Sequence, residues 1–321
     1  MELSVRFFKR LFLGVLIAMI LIPNIVAIFL GVSLNKTKAA AAEQQVQLQR
    51  TQEQLSALLA SESIGSVYAP PVEGAQPGDP GVLGAAEALP YQNLFPELYS
   101  TASVSGERVK MENTIYLTFD DGPSVNTRAI LDALDQAEVK ATFFVTATEL
   151  SEKDAATLLC EIRDRGHTIG IHSYCHEYLD IYQSVEAYLT DFNRMYQMIC
   201  EATGVKVEIF RFPGGSINSY NSGIYQSLIG EMLRRGFVFF DWNATGGDNL
   251  KGADADSILR TVKADTVGKS RNIILLHDTN EKKSVVDALP GVIDHLKQQG
   301  YQFQPLTPAV LPIVFSYNSQ T

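Results

Sequence analysis

Ile115-Tyr-Leu-Thr-Phe-Asp-Asp-Gly-Pro-Ser124 is an apolar strand that runs directly into two carboxylates and a Gly-Pro turn. Successive strand residues point to opposite faces, so Asp120 and Asp121 cannot both serve one site inside regular β structure. Gly122 and Pro123 end the strand in a turn, which frees both side chains to reach one pocket at its C-terminal end. Asp-Gly is also ordinary turn chemistry. The stretch acquires meaning from what lies downstream.

Outward from it, strand and helix patterns alternate. Strands are expected at 115–119, 141–145, 168–172, 208–211, 237–241, 272–276 and 301–304. Helices are expected near 126–137, 150–165, 184–202, 222–235, 254–267 and 284–299. Short apolar strands, each followed by an amphipathic helix, imply an α/β fold with a parallel sheet covered by helices. Seven such strands without a break predict a closed or nearly closed barrel, whose chemistry belongs at the C-terminal strand ends. Polar, titratable residues gather at those ends: Asp120-Asp121, His172-Ser-Tyr-Cys-His176, Arg211-Phe-Pro-Gly-Gly-Ser216, Asp241 through Asp248, and His277-Asp278.

Two imidazoles four residues apart bind one metal when the segment between them turns, and a carboxylate supplies a third ligand. Asp121, His172 and His176 make a mixed nitrogen–oxygen set suited to zinc or a similar divalent ion. A cation on Asp121 also removes the repulsion between adjacent carboxylates and leaves Asp120 free to take a proton. With that set complete, Cys175 is not needed as a ligand. His167 reads as a turn or packing residue, His295 as a residue of an exposed late helix, and Asp278 as a cap. The run Tyr174–Tyr188 is compatible both with stacking on sugars and with helix packing.

Thr118-Phe-Asp-Asp-Gly122, His172-Ser-x-x-His176, Arg211-x-Pro-x-Gly215 and Leu275-x-His277 resemble, in order and spacing, the motifs of the polysaccharide deacetylase family (NodB-like, carbohydrate esterase family 4). The similarity spans about residues 113–305. It implies a distorted (β/α)7 barrel and metal-dependent removal of N-acetyl groups from N-acetylglucosamine-type polymers. By the same resemblance Asp120 is the general base, Asp121, His172 and His176 hold one divalent ion (zinc first, cobalt or another as alternatives), His277 is the general acid and Arg211 steadies the base. A backbone N–H near Gly214 is the expected oxyanion donor, with Leu275 and Trp242 at the substrate. The partner of His277 is open between Asp241, which matches the family's Asp-Trp pair literally, and Asp248, which fits better along the loop; Asp248 is favoured. Departures from the pattern are Glu177 in place of proline, Phe212 and Gly214 in place of proline and tyrosine, and Asn249 in place of an aromatic wall.

The flanks place this catalytic unit, 108–321. Residues 1–10 carry Arg6, Lys9 and Arg10, and residues 11–34 carry no charge. As a helix the latter is roughly 36 Å long, enough for a ~30 Å hydrocarbon core even when kinked at Pro23. A cleaved signal peptide has a shorter apolar run with a small-residue site directly after it, so an uncleaved single-pass signal anchor is expected, with a cytoplasmic N-terminus. Residues 35–60 read as a helical stalk and 61–107 as a Pro/Gly/Ala-rich linker. Such a tether points to an extracytoplasmic target, a cell-wall glycan such as peptidoglycan, with chitin, xylan or an exopolysaccharide as other substrates. A catalytically silent glycan-binding module is the reading of a different class. The net charge of −10 argues against nucleic acid as a partner. The three cysteines allow at most one disulfide, between Cys160 and Cys200, or none. The oligomeric state is not legible.

Overall fold

β1 (Thr114–Asp120) is buried along its whole length, and the sheet is built on both of its edges. In the computed structural model, which describes residues 89–100 and 108–315, β1 pairs in parallel with β7 (Arg271–His277) on one side. On its other side the upper half pairs with β2 (Thr142–Val145) and the lower half with β8 (Gln302–Phe303). Outward from β2 follow β3 (Thr168–Ile171), β4 (Ile209–Phe210) and β5 (Val238–Phe239); outward from β7 lies β6 (Ala244–Thr245). Every pairing is parallel. The crossovers are α1 (Thr127–Gln136), α2 (Glu152–Asp164), the short α3 (Tyr178–Ile181) with α4 (Val185–Thr203), α5 (Tyr225–Arg234), α6 (Ala255–Thr266) and α7 (Lys283–Gln298).

The strand–helix alternation therefore holds, and of the closed and nearly closed forms expected the barrel takes the second. The sheet curls but does not close, because no ladder joins β5 to the additional two-residue strand β6. The C-terminal segment enters that seam, where the amide of Asp241 donates to the Ile313 carbonyl. The helices start where the sequence offers caps: Ser151 accepts from the Asp154 amide, Ser184 from Ala187, and Asp254 forms a reciprocal box with Ser257.

Period-two alternation sorts the strand residues into two cores. Ile115, Leu117, Phe119, Phe143, Val145, Ile274 and Leu276 face the helices. Tyr116, Phe144, Ile209, Val238 and Ile273 face inward, with Leu306 and Val310 of the C-terminal segment as a floor. Gly170 also belongs to the inner row, where a Cβ would lie 2.5 Å from the Phe144 ring.

Residues 89–100, assigned by composition to the linker, carry a 3-10 turn at Pro90–Asn93 and lie on the catalytic unit. The fully buried Arg235 donates to the carbonyls of Tyr91, Leu94, Phe95 and Leu98, and Arg234 reaches Gln92 and the Tyr99 hydroxyl. The expected anchor (11–34) and stalk (35–60) lie outside the described residues. No described helix is long and apolar enough to cross a membrane. Cys160, Cys175 and Cys200 are all free; the thiols of Cys160 and Cys200 donate to the Ala202 and Val205 carbonyls instead.

Candidate active site

The inner rows, followed upward to the C-terminal ends, become the site. On β1 the series Tyr116, Thr118, Asp120 ends in a carboxylate, and on β7 the series Ile273, Leu275, His277 ends in an imidazole. Asp120 and His277 are register partners across the β1–β7 ladder. On the far side, Gly170 leads to His172, and Ile209 leads to Arg211. Ile171 and Phe210 are register partners, so His172 and Arg211 sit side by side.

Asp121 joins this row by leaving the strand. Its φ of +74° turns the chain back over the mouth, and His176 sits at φ +56°. Both are L-residues in the left-handed region, a conformation that costs free energy and is kept where surrounding contacts impose it. The result places Asp121 Oδ1 at 3.5 Å from His172 Nε2 and 3.3 Å from His176 Nε2. One ligand atom from each of the three lies within 4.8 Å of the others. Asp121 Oδ1 and His176 Nε2 are buried without any hydrogen-bond partner. Orphaned buried acceptors converging on one point are what a cation satisfies, so these side chains fit a divalent metal. The His172 Nδ1 lies 2.8 Å from the Arg211 carbonyl, which fixes a proton on Nδ1 and leaves Nε2 with its lone pair. Burial, reinforced by the neighbouring His176, holds His172 well below the usual histidine range.

Asp120 has a different environment. Its Oδ1 accepts from Arg211 Nη1 at 2.7 Å, and the same nitrogen donates to Thr118 Oγ1 at 2.8 Å. Nε donates to the Phe240 carbonyl and Nη2 to the Asp241 carbonyl, and the guanidinium lies over the Phe144 ring. Burial pushes the Asp120 carboxyl up to about 6, against the opposing pull of Arg211. Its Oδ2 stays out of the pair with Arg211 and lies 3.8 Å from His172 Nε2.

Asp248, not Asp241, meets His277: Oδ2 lies 3.0 Å from Nδ1 and also accepts the His277 amide. Burial opposes charge on His277, but the Asp248 hydrogen bond and charge, with Asp120 and Asp121 behind it, hold the imidazole above its ordinary range. Asp241 does another job. It accepts from the Ser216 amide and hydroxyl and from the Phe315 amide, tying the loop after β4 to the C-terminal segment. Trp242 lies edge-on to Phe315, with ring centroids 4.8 Å apart. Phe315 itself fills the space a side chain at Gly215 would need. Gly214 is exposed with φ +75°, and Leu275 is nearly buried on β7. Asp278 does not cap the segment after it, whose helix has no side-chain cap; it accepts the Ser124 and Thr127 hydroxyls instead.

Three residues of the mouth were not singled out from the sequence. Asp191 on α4 accepts the amides of Tyr174 and Cys175 and the Ser173 hydroxyl, and Ser173 Oγ in turn accepts the His176 amide. This carboxylate organises the whole loop between the two histidines. A mid-helix Asp has no sequence signature for that role. Tyr178 packs edge-on to His176 at 5.3 Å, and burial with the charges of Asp121 and Asp120 pushes its hydroxyl up to about 12. Phe315 arrives through a contact 74 residues away in sequence.

A curled parallel barrel whose mouth gathers a cation-ready Asp-His-His set, a buried carboxylate and a carboxylate-paired imidazole defines a hydrolase of acyl groups. Comparison with known proteins gives its family. The model for the polysaccharide deacetylases matches residues 107–229. YheN of Bacillus subtilis, assigned as a polysaccharide deacetylase, is 33% identical over 231 residues, 71% of this chain and 78% of its own. A peptidoglycan-N-acetylglucosamine deacetylase of Bacillus cereus is 30% identical over 200 residues, 61% of this chain and 70% of its own. The catalytic-domain structure of a peptidoglycan N-acetylglucosamine deacetylase from Eubacterium rectale superposes with a TM-score of 0.62 at 36% identity, covering 67% of this chain and 99% of that one. The chain belongs to the polysaccharide deacetylase family.

Proposed function

We propose that this protein is a metal-dependent N-deacetylase of a cell-wall glycan, with N-acetylglucosamine residues of peptidoglycan as substrate. One observation carries the reading: the Asp121–His172–His176 cluster lies beside Asp120 on its Arg211 support, and His277 on its Asp248 support stands next to Asp120 across the β1–β7 ladder. The chemistry of the donor set, one carboxylate oxygen and two imidazole nitrogens, favours zinc, with cobalt or another divalent ion as alternatives. Such an ion supplies Lewis acidity toward the acetyl carbonyl and lowers the pKa of water toward ~7.

The chain's own groups complete the reaction. Asp120 Oδ2 accepts the proton of the water that adds to the acetyl carbon. The amide of Gly214, a residue with no side chain of its own, donates to the oxygen on which negative charge develops. His277, protonated through its pairing with Asp248, gives its Nε2 proton to the departing nitrogen as the carbon–nitrogen bond breaks. Acetate and a free amine result. Leu275 borders the acetyl group, and Trp242 flanks the Arg211 side of the cleft.

The substrate assignment is supported by the relatives named above and by the 24-residue uncharged run 11–34, which is long enough to tether the enzyme beside the wall with its catalytic unit outside the cytoplasm. The purified full chain, supplied with zinc or cobalt, should release acetate from N-acetylated peptidoglycan fragments faster than from chitin or xylan oligomers. Absence of acetate release under every divalent ion removes the proposal; faster turnover of xylan or chitin moves it to that substrate. His176→Ala should lose both metal and activity, and an externally added protease should digest residues after 34 in intact cells.

A further inference from the structure

The run Tyr174–Tyr188 places four tyrosines in fifteen residues, and the structure gives three of them structural employment. Tyr188 is 2% exposed and stacks on Tyr182. Tyr182 is also buried and donates to the Pro213 carbonyl at 2.7 Å. Tyr174 lies on the outside, where it donates to Glu152 and carries the Arg194 guanidinium on its ring.

Tyr178 is different. It is half-buried at the mouth of the barrel, in ring contact with the candidate metal ligand His176 on one side and with the exposed Tyr220, 4.9 Å away, on the other. A Cβ built on Gly214 would lie 2.8 Å from its Cε1 and 3.2 Å from its hydroxyl oxygen. Tyr178 thus occupies the volume a side chain at 214 would take and sets its hydroxyl beside the Gly214 backbone. Asp121, Asp120 and Tyr220 act on that hydroxyl through space, and no protein hydrogen-bond partner meets it among the described residues. An aromatic face next to a second exposed ring, carrying an uncommitted donor at the reacting end, matches an acylated pyranose: ring face against ring face, hydroxyl to a sugar or amide oxygen.

We infer that Tyr178 is a sugar-binding, specificity-determining residue of this site, its ring and that of Tyr220 forming the platform for the acetylated sugar and its hydroxyl donating to that sugar. The inference rests on the glycan deacetylase reading above.

The test compares the full-length parent with Tyr178→Phe and Tyr178→Ala on an N-acetylglucosamine tetramer and on 4-nitrophenyl acetate, which has no sugar. Loss of the hydroxyl should lower kcat/KM on the tetramer about 5- to 10-fold, and loss of the ring about 100-fold, chiefly through KM. The preference for tetramer over aryl acetate should fall about 100-fold in the alanine variant, because the aryl ester touches no sugar platform. In an Asp120→Asn background, where turnover is removed, Tyr178→Ala should weaken tetramer binding by about 100-fold by calorimetry. Parental KM in both variants overturns the inference, and so does an equal loss on tetramer and aryl acetate, the mark of a structural role. A parent that hydrolyses the aryl ester but neither binds nor deacetylates any glycan oligomer overturns the deacetylase reading itself, and the role of Tyr178 with it.

Discussion

Arg211 and Arg235 are both fully buried, and each pairs with a buried carboxylate, Asp120 and Glu231 respectively. Each also donates to backbone carbonyls. Arg235 takes its carbonyls from the 89–100 strap and so fastens one piece of chain to another. Arg211 takes its carbonyls from the β5 end and holds Asp120 Oδ1, leaving Oδ2 to the cleft. The same guanidinium, equally desolvated, is a clasp at one place and a support for a reacting group at the other. What differs is whether the partner carboxylate keeps an oxygen in the mouth of the barrel.

Removing one member of a buried ion pair strands the other, at a cost of about 3–5 kcal/mol, so Arg211→Met and Arg235→Met should lose comparable stability in denaturant titrations. Their activities should part company. Without Arg211, only the charge of His277 offsets the burial that already pushes Asp120 toward protonation, and turnover per folded molecule should drop on the order of a thousand-fold. Arg235→Met should keep turnover within a few-fold while the 89–100 strap becomes cleavable by protease. Equal loss of turnover in both would erase the distinction.

A smaller break concerns the other support. Asp248→Asn removes the charge that holds His277 up and leaves at most a neutral amide acceptor, while the burial that pulls it down remains. The acid is active when protonated, so the alkaline limb of the kcat profile should move to lower pH, with kcat at neutral pH down about 100-fold. An unmoved limb would mean that His277 is not the group titrating there. Asp191→Ala should act more mildly still. It releases the loop between the two histidines, and metal retention should weaken by about 10- to 100-fold, as is usual for groups that orient ligands from behind.

How much of this the sequence carries depends on where the information sits. Asp120, His172, Arg211 and His277 were legible because each ends an apolar strand, and strand parity carries its side chain inward. Asp248 was favoured over Asp241 from loop distance alone, and the structure seats it against His277. The open seam was not legible, because β6 is two residues long and the segment that lines the gap is not part of the strand–helix pattern. Nor was the strap: Arg235 grips it through carbonyls, which every residue possesses, so the composition of 89–100 reads as linker. Asp191 and Phe315 were hidden for a related reason, since each acts through a tertiary contact that no local period announces; Tyr178 was visible only as one of the run Tyr174–Tyr188, with nothing to set it apart from its neighbours.

The two ends of β3 repeat the contrast between clasp and reacting group with histidine, and give the smallest expected effect. His172 closes the strand at the mouth; His167 precedes it at the opposite end, 6% exposed, accepting the Ala141 amide on Nδ1 and packing edge-on to Phe143. Burial lowers the His167 pKa from 6.5 to about 4, so the fold holds it neutral while the unfolded chain takes up a proton at higher pH. Its contribution to stability is therefore complete above pH 6.5 and is lost as pH falls through about 4. His167→Gln should flatten the decline of unfolding free energy over that window, read by urea titration at successive pH values, while KM and metal content at pH 7 stay parental. A variant that changes metal content instead would make His167 part of the mouth's machinery, and the division between the two ends of the strand would fail.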